Sequence, residues 1–159
     1  MTRQLSRELH GNTTEIVIQT FADRILVLVT QLGKVGNLIQ ATLPDTIPLL
    51  PAATTQDSDE PNTPAFPEPP AAIQLTPLLG NAPSEHLQTL HLLYASQIAT
   101  LVWTAGLSNP LEVSRKPIII GIALRKSDSA DNGGLTEKER SVFAGVMAMV
   151  QELLGAVPE

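Results

Sequence analysis

The chain has 159 residues, is 43% hydrophobic but only 3% aromatic, carries a formal net charge of −6 and has no cysteine. The length suits a single domain, and its core must be built from Leu, Ile and Val. The acidity argues against nucleic acid and anionic membranes, which recruit basic patches, and the missing cysteine excludes disulfides, thiolate nucleophiles and zinc–thiolate sites.

Residues 1–12 are polar and charged and read as a flexible N-terminal tail. No apolar run follows Met1, so neither a signal peptide nor a membrane span is expected, and the protein reads as soluble and intracellular. From Thr13 to Phe21, β-branched and polar residues mix as in a strand with one wetter face. Ala22-Asp23 makes a turn. The run Ile25-Leu26-Val27-Leu28-Val29 is apolar on both faces and predicts a central strand covered on both sides. Gln31 to Gly36 reads as a hairpin loop whose glycines supply positive φ. Leu38–Leu43 is a third strand.

The segment Pro44–Pro70 holds eight of the 13 prolines and the acidic residues Asp57, Asp59 and Glu60. It is too poor in large apolar side chains to offset its ordering entropy, so a long disordered loop within the domain is expected. Ala71–Leu79 predicts a fourth strand, with Ile73 and Leu75 on one face and Pro77 marking an edge. Ser84 can cap a helix from Glu85 to about Trp103, whose stripe is Leu87, Leu90, Tyr94, Ile98 and Leu101. A loop spans 105–116. Ile118–Leu124 is a fifth strand, again apolar on both faces. A polar loop over 127–134 leads to a capping box, Thr136 with Glu139, and a last helix ending near Leu154 and Gly155. Its stripe is Phe143, Val146, Met147, Val150 and Leu154.

Hairpins first and helices late predict an α+β domain: an antiparallel sheet with two helices on one face. Two helices cover one face only, yet two strands are apolar on both. The second face is therefore expected to meet another subunit's sheet. Leu26, Leu28, Ile119, Gly121 and Ala123 are the candidate interface, and Ile118, Ile120, Ile122 and Leu124 should face the helices.

No catalytic pattern stands out. Gly33-Lys34-Val35-Gly36 lacks the spacing and following helix of a GxxxxGK(S/T) phosphate loop. His86 and His91 lie roughly 140° apart around a helix and cannot share a metal. His86 reads as helix surface, His91 as helix flank and Trp103 as a core plug. No GxSxG or HExxH motif occurs, so neither enzyme activity nor a cofactor or metal is expected.

The stretch Arg24 to Gly36, RILVLVTQLGKVG, resembles the second strand and hairpin of the proteasome assembly chaperone 3 family, where it runs much like ILVLVTQxGKxG. The similarity continues through Leu78-Leu79-Gly80, the helix ending Ile98–Val102 and the strand Ile118–Arg125, in the same order. The chain departs from the family's shorter members by insertions at 44–70, 105–116 and 127–134. The resemblance implies a small α+β chaperone without catalysis. It would pair through its sheet with a similar partner, proteasome assembly chaperone 4, and bind proteasome alpha-type subunits while their ring forms, in the cytoplasm and the nucleus. A homodimer in isolation stays open, as does another dimeric α+β scaffold. By their charge, and apart from the resemblance, the carboxylates Asp57, Asp59 and Glu60 would either steer the client at long range or merely keep a Pro-rich loop soluble.

Overall fold

A computed structural model describes residues 2–9, 11–31, 36–44, 70, 72–80, 85–106, 116–124 and 137–155. The elements are β1 (Thr2–Leu9), β2 (Asn12–Thr20), β3 (Ile25–Thr30), β4 (Asn37–Thr42), β5 (Gln74–Leu79), α1 (Glu85–Gly106), β6 (Ile118–Ala123) and α2 (Glu137–Gly155). The fold is α+β: six strands in the order β1-β2-β3-β6-β4-β5, antiparallel except for the parallel β3–β6 pair, with both helices on one face.

Side-chain alternation divides the sheet. Ile16 and Ile18, Val27 and Val29, Ile118, Ile120 and Ile122, and Ile39 and Ala41 are buried beneath the helices. As expected, Ile118, Ile120 and Ile122 face the helices, and Leu124 packs against the same core. Helix α1 covers the β6-β4-β5 side and α2 the β1-β2 side. Both expected stripes point inward; the helices meet where the Tyr94 and Phe143 rings stand edge to face, 5.0 Å apart at 75°. Trp103 is a core plug as read, and its indole N–H donates to the Lys116 carbonyl at 3.0 Å, pinning the end of α1 to the entry of β6.

Two expectations are corrected. The first is the tail: Thr2–Leu9 is a strand, paired with β2 along its whole length. Its odd-numbered residues explain why. Leu5 and Leu9 pack on the core, and Gly145 leaves room on α2 for Leu9. The Arg3 guanidinium donates to the Leu153 carbonyl at 2.7 Å, and Arg7 pairs with Glu152 at 2.7 Å. A cation on the last carbonyls of a helix satisfies acceptors the helix leaves open and complements its dipole. The charges that made the segment look like a tail are what attach it.

The second is the hairpin at Gln31–Gly36. Residues 32–35 lie outside the described residues, but β3 and β4 are not neighbours, because β6 is inserted between them. A strand apolar on both faces gains most at the centre of a sheet, and β6 takes that place. Gly36 does have the expected positive φ, 70°, and a Cβ there would run into the Ile122 carbonyl and lie 2.7 Å from the Ala123 Cβ. Glycine is thus required where the chain enters β4 beside the end of β6.

Removing residues 1–9 should destabilise the protein by roughly 2–4 kcal/mol, the worth of two leucines on the core, as read from urea unfolding. An unchanged midpoint would return the segment to the status of a tail.

Candidate interaction surface

The sheet face opposite the helices carries no described element. The register aligns its side chains in cross-strand rows. Val17 pairs with Leu28, Leu28 with Gly121, Gly121 with Leu38, and Leu38 with Leu79, so one row of apolar residues crosses five strands. The next row is Gln19, Leu26, Ile119, Gln40 and Thr76, polar at its ends and apolar at its middle. Val17, Leu26, Leu28, Leu38 and Ile119 are only half-buried, unlike their neighbours beneath the helices.

The two margins of this face differ. At the β5 margin the register shifts between Leu38 and Ile39, so that Leu79 stands opposite Leu38 while Pro77 stands opposite Ile39. Leu78 is the extra residue of a bulge, and bulges re-aim side chains and end strand pairing. Leu78 is 46% exposed and Leu79 is 65% exposed. At the other margin, Glu15 lies opposite Ser6 and Glu8 opposite Thr13, on the side away from α2. Among the described strand residues of this face, Glu8 and Glu15 are the only charges, because Arg3 and Arg7 turn to the helix side.

All five residues expected to share a face do so: Leu26 stands beside Ile119, Leu28 beside Gly121 and Thr30 beside Ala123. Sequence reading missed Val17, Leu38, Leu78 and Leu79. The consecutive apolar triplet Ile16-Val17-Ile18 and pair Leu38-Ile39 are the signals that these strands are also apolar on both faces. Asp57, Asp59 and Glu60 lie outside the described residues.

No protein-family model and no curated protein matches the chain. A solved structure does. The chain superposes on one from the crystal structure of a chaperone complex for yeast 20S proteasome assembly, with a TM-score of 0.51 and 13% identity over 94% of this chain and 98% of that one. At that identity the likeness is one of fold.

Beneath the helices, one polar pair interrupts the core. Asn37 opens β4 and His91 lies on the inner side of α1, 5% exposed, with Asn37 Nδ2 and His91 Nδ1 3.3 Å apart. His91 was expected on the flank; the register of α1 instead turns it onto the sheet, where a buried polar group needs a partner. The amide donates only to a neutral ring whose Nδ1 is unprotonated. Burial lowers the His91 pKa below its usual 6.5. Nearby, burial first and the Glu139 carboxylate second push the Tyr94 phenol up, so it stays neutral. The asparagine Oδ1 is buried without a partner.

The linkage follows from the sign of the shift. The unfolded chain takes up the His91 proton at a higher pH than the folded one, so the neutral ring's contribution is complete above 6.5 and declines as pH falls below it. Between 6.5 and the depressed value, stability should fall by up to about 1.4 kcal/mol per pH unit. His91→Gln, measured by urea unfolding at several pH values, should lack this slope; an identical slope in the variant would show that other groups set it.

Proposed function

We propose that this protein is a non-catalytic chaperone of proteasome core-particle assembly that works as one half of a sheet-to-sheet pair. The observation that carries the reading is the apolar row Val17–Leu28–Gly121–Leu38–Leu79 on a face that carries no described helix, in a fold shared with a chain of a proteasome-assembly chaperone complex. Two stacked sheets pack their inner faces about 10 Å apart, so a partner of like fold is the natural cover. The partner of this reading resembles proteasome assembly chaperone 4. The clients are alpha-type subunits gathered into a ring, and the setting is the cytoplasm and nucleus. Leu26, Leu28, Ile119, Gly121 and Ala123 form the centre of the pairing surface. Exposed ion pairs contribute only about 0–1 kcal/mol each, which suits a chaperone that must let its client go.

The deciding experiment is co-expression with such a partner followed by capture of individual alpha-type subunits. The pair should retain one or a few subunits and release them on ring closure. Retention of none would overturn the reading. Leu28→Asp should abolish pairing while the chain stays folded, because it sets a carboxylate in a dry interface at a cost of several kcal/mol; sedimentation showing an intact pair would place the interface elsewhere.

Asp57, Asp59 and Glu60 enter this proposal as steering charges. Changing them to Asn, Asn and Gln should slow association with the client at low salt and leave dissociation nearly unchanged, since such attraction is screened by salt. Identical association rates at low and moderate salt would leave recognition to the folded surface alone.

A further inference from the structure

The uncovered face is polarised. Its β5 margin ends in the bulged, exposed Leu78 and Leu79, and its β1–β2 margin carries Glu8 and Glu15 without a cation among the described strand residues of the face. Two copies of one sheet packed face to face with their strands aligned have two choices of twofold axis. With the axis across the strands, β1 lies over β1 of the partner; with the axis along the strands, β1 lies over β5. In the first arrangement both pairs of carboxylates occupy one strip of the interface. In the second they lie over the leucine margin, and the leucines lie over the polar side chains of β1. Neither arrangement brings a positive group of the described strand residues over Glu8 or Glu15, and desolvating a carboxylate that stays unpaired is unfavourable.

We propose that Leu78–Leu79 and Glu8–Glu15 set the partner choice of this face: they exclude a second copy and select a sheet with basic side chains over β1–β2 and an apolar recess over the β5 bulge. The proposal rests on the reading of this face as a pairing surface and not on the identity of any client. Specificity here has an attractive part, the leucine anchors, and a repulsive part, the unanswered carboxylates. The bulge gives the anchors their place, because it sets two leucines opposite the single Leu38 at the end of the apolar row. Pro77 meanwhile lacks the N–H that edge-to-edge sheet extension through β5 would use.

The chain itself supplies the probe. The double variant Glu8→Lys, Glu15→Lys turns a copy of the same face basic, and Glu8→Gln, Glu15→Gln makes it neutral. By sedimentation velocity at micromolar concentration and low salt, the wild type alone and the lysine variant alone should be monomers. A one-to-one mixture of the two should form dimers at least tenfold tighter than either alone. Raising the salt should weaken that dimer, and Leu78→Asn with Leu79→Asn in the wild-type half should dissolve it. The glutamine variant should self-associate more tightly than the wild type. All four positions lie at the margins of the sheet, and the thermal midpoint of each variant checks that it is folded. A wild type that dimerises as tightly as its glutamine variant, or a mixture that remains monomeric, would overturn the proposal. Capture of alpha-type subunits plays no part in these measurements, so failure here and failure of the assembly reading are separate results.

Discussion

Everything in this molecule depends on a pairing between segments far apart in sequence. The strand Ile118–Ala123 lies parallel to Ile25–Thr30 on one side and antiparallel to Asn37–Thr42 on the other. Without it the sheet would fall into two pieces, β1-β2-β3 and β4-β5, each with a bare apolar edge. Closing so long a loop costs entropy before any contact repays it. What repays it is the composition of β6: three isoleucines set the core beneath the helices, while Ile119, Gly121 and Ala123 complete the rows of the opposite face. The glycine at position 36, with φ of 70°, and the indole N–H of Trp103 fix the chain beside the two ends of β6.

The two faces thus derive from the same strands. Alternation sends one set of side chains to the helices and the other set outward, and a single-residue slip in register would exchange them. Helices α1 and α2 resolve one half of the problem. The other half is left as a surface whose residues are too apolar to be an ordinary wet face and too systematically arranged, row by row, to be incidental. Its polarity across the sheet, carboxylates at one margin and leucines at the other, comes from the two edge strands and their immediate neighbours.

Runs apolar on both faces made the central strands legible in the sequence, and the 3.6-residue stripes made the helices so. The five candidate interface residues shared a face because their alternation is a property of each strand by itself. What could not be read was adjacency. Nothing local in Leu38–Thr42 says that β6 will lie between it and β3, so a loop with two glycines resembled a hairpin. Strand β1 was missed for a different reason: Arg3 and Arg7 count as solvated charges until α2 is placed opposite them. Val17 and Leu38 were overlooked beside Ile16 and Ile39, whose burial beneath the helices dominated the pattern. His91 fell between two readings, since a histidine beside an apolar stripe becomes interior or exterior by a small rotation of the helix.

Trp103 is the sole tryptophan, and its hydrogen bond to Lys116 sits where β6 enters the sheet. The protein therefore carries an intrinsic optical label at its most consequential junction. Its ultraviolet emission comes from one buried indole that is hydrogen-bonded to the segment leading into the strand that joins the two halves of the sheet. A change in emission wavelength during refolding would time the arrival of the last strand without any engineered dye.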